Sequence, residues 1–218
     1  MQSKENCMEF EYEKDNIDRV PFEHYLEEYA KKDPKEISLR TGFPYSEEKG
    51  AFTLLFLGKE YEVSYPDFHV RRTQEDDQWC PLPEMAKAKT LVIRFLTECC
   101  QAKSTGKFLT YREVPWGELY YRQFNGRCMM RLAFSYGNRL EEFVRVMEKM
   151  KAKKIKAGDE GYEIELFSGF FIRFQLWGGD EEFPPSSQIL FSDNFPVAFH
   201  AEDLVVACDV ILGTMKQL

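Results

Sequence analysis

Three carboxylates in a row, Asp180, Glu181 and Glu182, follow the pair Gly178-Gly179 and precede Phe183, Pro184 and Pro185. Adjacent carboxylates repel one another and need water, cations or backbone donors close by. On an extended chain side chains alternate, so Asp180 and Glu182 would point one way and Glu181 the other. With Asp193 as a further oxygen donor, Asp180 and Glu182 have the chemistry to hold Mg²⁺ or Ca²⁺, and a metal held there would support hydrolysis. Trp177, Gly178, Gly179, Asp180, Glu181, Glu182 and Phe183 therefore form the candidate site, for a ligand or partner first and a catalytic carboxylate second. A plainer reading outweighs both: a solvated turn whose glycines permit positive φ and whose acids keep a sheet end soluble. Trp177, a ring at a strand end, fits core packing better than a stacking platform.

Elsewhere the constellations are incomplete. The three histidines, His24, His69 and His200, stand apart, with no H-x-H or H-E-x-x-H, so no metal-binding histidine cluster is expected. Ser104-Thr105-Gly106-Lys107 resembles the tail of a phosphate loop. Walker A, however, needs a glycine where Gln101 stands and Ser or Thr where Phe108 stands. No nucleophile elbow of the G-x-S-x-G type occurs. Cys99 and Cys100 could form a strained vicinal disulfide or expose one reactive thiol, but two small residues at a helix end are the simpler account. Lys149, Lys151, Lys153, Lys154 and Lys156 make the one cationic run, suited to a helix C-terminal end and open to an anionic partner.

Apolar spacing places these residues on elements. Phe22, Tyr25, Leu26 and Tyr29 predict a helix opened by Pro21 and closed by Pro34, with a helical turn over Lys35 to Gly42. Ala51 to Leu57 and Glu60 to Tyr65 read as a hairpin across Gly58-Lys59, with a type II′ turn. Met85, Ala88, Leu91, Val92, Phe95, Leu96 and Cys99 form one face of a helix over Glu84 to Gln101. A short strand, Phe108 to Tyr111, precedes a helix opened by Pro115 and interrupted at Asn125-Gly126. The next helix, Arg127 to Tyr136, ends in a left-handed Gly137. Asn138 then caps another with Glu141 in a capping-box pattern. From Tyr162 the period becomes two: Tyr162, Ile164 and Leu166, then Phe170, Ile172, Phe174 and Leu176, form inward faces. The outer face of the second run, Phe171, Arg173, Gln175 and Trp177, is expected to be partly covered. A strand over Gln188 to Phe191 and a helix over Ala201 to Lys216 complete the chain. Helices and hairpins come in blocks, which predicts an α+β fold with a mainly antiparallel sheet.

The chain has 218 residues with 29 Lys and Arg against 37 Asp and Glu, a formal charge of −8, and 15% of it is aromatic. So many rings exclude a disordered chain, and the acidic balance argues against a nucleic-acid surface. The expectation is one compact domain over residues 1–218, with residues 1–15 a flexible or peripheral arm. The opening residues lack a secretory h-region and no apolar run is long enough to span a bilayer, so a cytoplasmic protein with reduced thiols and no membrane contact is expected.

The stretch L-W-G-G-D-E-E-F-P from Leu176 to Pro184, taken with A-E-D-L at Ala201 to Leu204, resembles a family catalogued only as a domain of unknown function, found mainly in anaerobic bacteria and archaea. Leu57-Gly58-x-x-Tyr61-x-Val63 and Y-Y-R-Q-F at Tyr120 to Phe124 resemble it too. Some longer relatives join this domain to a cysteine-rich iron–sulfur segment of the kind associated with corrinoid proteins, and this chain has no such cysteine cluster. The resemblance implies a fold and a setting, and no catalytic residues. The expected function is a non-catalytic or accessory domain that binds a small ligand or cofactor of unknown identity, or a protein. The alternative is a metal-assisted hydrolase on the Asp180 to Glu182 loop. A third reading, a protein-interaction module, calls for a contiguous exposed aromatic patch.

Overall fold

The computed structural model describes residues 16–74 and 79–218; the expected arm, residues 1–15, lies outside them. The elements run α1 (Asn16–Ala30), α2 (Pro34–Thr41), β1 (Tyr45–Ser46), β2 (Ala51–Phe56), β3 (Lys59–Ser64), β4 (Val70–Arg72), α3 (Pro81–Glu84) and α4 (Ala86–Glu98). They continue with β5 (Phe108–Thr110), α5 (Gly117–Phe124), α6 (Arg131–Tyr136), α7 (Leu140–Lys149), β6 (Lys153–Ile155), β7 (Glu160–Phe167), β8 (Phe170–Trp177), β9 (Ser186–Ser192), α8 (Phe195–Ala198) and α9 (Ala201–Gln217). The fold is α+β, and every strand pair among the described residues is antiparallel. The sheet order is β4-β3-β2-β7-β8-β9-β5, with β1 added beside β2 and β6 beside β7. Among the described residues no helix is long and apolar enough to cross a membrane.

One face of the sheet is dry. Ile164, Ile172, Phe174, Leu176, Ile189 and Phe191 are all buried, and helices cover them because period-two alternation gathers their side chains on one side. Phe143 of α7 meets Tyr162 edge-on at 5.6 Å, Phe95 of α4 stacks on Phe167 at 4.7 Å, and Phe124 of α5 lies 6.0 Å from Phe191. Each fully buried ring contributes roughly 1.5–3 kcal/mol of transfer free energy. The opposite face is half exposed and polar, with Arg173 bonded to Glu163 at 2.8 Å and Gln175 opposite Gln188. Partial cover there comes from within the sheet, where the Arg173 guanidinium lies 3.5 Å from the Phe108 ring centroid.

Several local expectations are corrected. Pro21 lies inside α1 and does not open it. The β2–β3 turn is Leu57-Gly58, with both residues at positive φ (49° and 72°), which makes it type I′ and not II′. Asn125-Gly126 does not break the helix: residues 125–130 continue as π-helix from α5 into α6, because a wider turn absorbs the glycine without losing its axis. Gly137 is right-handed, at φ −64°. Its missing side chain is needed for space, since a Cβ there would lie 2.1 Å from Pro185 Cβ and 2.6 Å from the Ala133 carbonyl oxygen. Asn138 does not cap α7; Arg139 occupies that position with no side-chain cap bond.

Candidate functional site

The β8–β9 connection that carries the acidic triplet is a tight turn, not an extended strand. Asp180 Oδ1 accepts from the backbone N–H groups of Glu182 (2.9 Å) and Phe183 (2.7 Å), and the Asp180 N–H donates to the Phe183 carbonyl at 2.9 Å. Those two donors hold the Asp180 carboxyl below its ordinary value. Asp180, Glu181, Glu182 and Phe183 are exposed. Asp193 is held elsewhere: it accepts from Ser104 Oγ at 2.6 Å and from the Thr105 N–H at 3.0 Å. Among the described residues no group of three or more His, Cys, Asp or Glu could hold a metal.

Gly178 and Gly179 face an open groove of about 620 Å³ whose other wall is the α6–α7 connection from Gly137 to Glu142. Gly178 N–H donates to Asp159 at 2.8 Å, and a Cβ on Gly179 would lie 2.8 Å from Pro185 Cδ and 2.9 Å from Asn138 Oδ1. The glycines thus let the strand end lie close against the helix connection. Trp177, 37% exposed, and the triplet are not part of that groove.

A different cleft, of about 370 Å³, gathers residues that sequence distance separates: Arg94 of α4, Trp116, Leu119 and Tyr120 at the start of α5, and His200, Ala201 and Glu202 at the start of α9. Its wall is set by a crowded turn. A Cβ on Gly117 would meet the Tyr111 carbonyl oxygen at 1.7 Å, and Gly117 N–H donates to the Val114 carbonyl at 2.9 Å. The residue before Gly117 is in the left-handed region, Trp116 at φ 65°, which costs a bulky side chain roughly 1–2 kcal/mol. Trp116 is 72% exposed, and Leu119 beside it is 70% exposed. Leu57, Phe68 and Lys151 also stand at positive φ, but Trp116 is the large ring among these four that is left mostly exposed.

At the base of the cleft Arg94 Nη1 pairs with Asp203, which is almost fully buried, and Nη2 reaches Glu98 at 3.5 Å. Arg94 Nε is buried without a hydrogen-bond partner among the described residues. Burial pushes the Asp203 carboxyl up, and it is opposed by the Arg94 guanidinium and by the His200 backbone N–H, which donates to Asp203 at 2.9 Å. Arg94, Trp116 and His200 sit on three elements and form no sequence motif; the only local trace is a tryptophan wedged between Pro115 and Gly117.

Cys99 and Cys100 are free thiols, as are Cys128 and Cys208, while Cys7 lies outside the described residues. The lysine run is largely engaged: Lys154 pairs with Glu160 at 2.9 Å, Lys153 with Glu163 at 3.9 Å, and Lys149 bonds the Leu218 carbonyl. Exposed Met130 and Phe134 line a shallow apolar hollow of about 220 Å³ with Pro185.

A family model described as "Domain of unknown function (DUF3786)" matches residues 33–214, a span that holds both the acidic turn and the Arg94–Trp116–His200 cleft. No curated protein and no solved structure matches the chain.

Proposed function

The chain belongs to this family of unknown function, and from that premise we propose that it is a non-catalytic binding domain whose site is the cleft between Arg94, Trp116 and His200. The ligand is a planar organic anion. Its ring packs against Trp116, Leu119 and Tyr120, and its carboxylate or phosphate lies toward Arg94 and His200. The observation that carries this reading is Trp116, held exposed above the cleft on left-handed backbone. The charge assignment rests on the Arg94 side chain, the cation in the cleft's lining.

The test is a thermal-shift screen of flavins, nucleotides, corrinoids, haems and simple aromatic carboxylates against the parent and Trp116→Gly. A ligand that binds only the folded state raises Tm with concentration. Glycine relieves the left-handed strain, so Trp116→Gly melts above the parent without ligand, by about 1 kcal/mol of added stability, yet loses the ligand-induced rise. A parent that responds to no planar anion, or a variant that responds as strongly as the parent, sinks the proposal.

A further inference from the structure

A second hollow, of about 310 Å³, lies between α6, α7 and the end of α9, and its polar lining is dominated by Arg131, Arg139, Arg145 and Lys216 around Tyr136 and Glu142. Its carboxylates do not balance these cations. Glu142 is shared by Arg139 at 2.8 Å and Arg145 at 4.0 Å. Arg131 reaches Asp209 at 3.4 Å, but Asp209 already pairs with Lys87 at 3.0 Å and with Arg127. Four cationic side chains, Arg131, Arg139, Arg145 and Lys216, thus line the hollow against the one acidic side chain of its lining, Glu142, on a chain whose formal charge is −8. The remainder of the chain therefore carries the opposite sign, and a concave, low-dielectric wall concentrates the field of the cations inside the hollow. The floor is apolar, from Val146, Leu212 and Met215. Tyr136 lies at the focus: burial and Glu142 push its phenol up, while Arg139, Arg131 and Arg145 pull it down.

We propose that this hollow binds a small molecule bearing two or more phosphate groups. Guanidinium forks match phosphate oxygens two at a time, and several forks converging on one hollow favour a multiply charged ligand over a single phosphate. Arg139 and Arg145 are well exposed and give up little to reorient: their present bonds are to the solvent-facing Glu142 and, for Arg139, the Ser135 carbonyl. Besides the lysine run read from the sequence, the fold gathers a second cationic group from residues that lie apart in sequence, Arg131, Arg139, Arg145 and Lys216.

Isothermal titration with inorganic orthophosphate, pyrophosphate and tripolyphosphate, at low and high ionic strength, tests the proposal. Affinity is expected to rise along that series and to fall with salt. The double variant Arg139→Gln/Arg145→Gln should weaken tripolyphosphate binding at least tenfold, and Lys216→Gln several-fold, while Lys31→Gln, just past the end of α1, leaves it unchanged. Trp116→Gly should also leave it unchanged, which separates this site from the cleft proposed above. Absence of binding to any of the three, equal binding by the double variant, or loss of binding in Trp116→Gly would overturn it. So would hexaglutamate competing as well as tripolyphosphate, since that would assign the surface to an acidic peptide.

Discussion

Cys99 shows how burial at one residue becomes a property of the whole chain. Burial and the neighbouring Asp203 push its thiol from 9.0 up to about 12, against the pull of Arg94. A thiol so displaced carries about a thousandfold less thiolate near neutrality, and the higher intrinsic nucleophilicity of a basic thiolate recovers only part of that. Cys99 should therefore be alkylated by iodoacetamide on the order of 30-fold more slowly in the native chain than in urea, read residue by residue by mass spectrometry. Equal rates in the two states would show that the site is open. A group whose folded pKa is raised lends stability that is complete below its unfolded value and is lost as pH climbs through the folded one. Tyr29, Tyr61 and Tyr111 are raised in the same direction, burial being the first cause in each. Stability to urea should therefore decline above about pH 9, and Cys99→Ala should flatten part of that decline.

Elements were legible where periodicity alone decides and illegible where a distant contact does. The α4 stripe, Ala88, Leu91, Val92, Phe95 and Leu96, is buried as its spacing requires, and so are the inward residues of β7 and β8. The acidic loop was legible as a solvated turn, but Gly178 and Gly179 serve it without positive φ, Gly179 by its close approach to Pro185 and Asn138; which backbone groups Asp180 would accept from was not legible. The cleft was hidden, since Arg94, Trp116 and His200 converge only after α4, α5 and α9 have packed. Gly137 marks the boundary between the two cases. Local chemistry suggests a left-handed cap, but what selects glycine there is Pro185, brought in by the β8–β9 turn. A methyl group at that position has no room, so Gly137→Ala should destabilise the chain by about 1–3 kcal/mol. At Gly126, by contrast, an added Cβ meets nothing within 4 Å and φ is not positive, so Gly126→Ala should stabilise by about 0.4–1 kcal/mol. Urea denaturation of the two variants decides it. Similar behaviour of both would mean that the approach of Pro185 is not what fixes Gly137.

At the scale of the molecule the sheet is two antiparallel meanders joined at a narrow seam. β4-β3-β2 and β7-β8-β9-β5 meet through the single pair Phe56 opposite Phe167, with the Leu57 N–H donating to the Leu166 carbonyl at 3.0 Å. So few ladder bonds cannot hold two half-sheets in register, and the side chains above the seam must. A register shift near the end of β7, between Glu165 and Phe167, turns both Leu166 and Phe167 inward where strict alternation would bury only one. Phe167 then touches both halves: its ring lies 5.1 Å from Phe56, 6.0 Å from Phe43, 4.7 Å from Phe95 and 6.1 Å from Phe199. Phe167→Ala removes all four contacts at once and should cost about 3–5 kcal/mol in urea denaturation. Its effect should also be uneven. Amide exchange should quicken most in β2 and β3, which are anchored to the larger meander through this seam. Exchange in β8 and β9, held by their own long pairing and by α6, should follow only the global loss. Uniform acceleration in both meanders would mean that the sheet opens as one unit and that the seam is not its weak line.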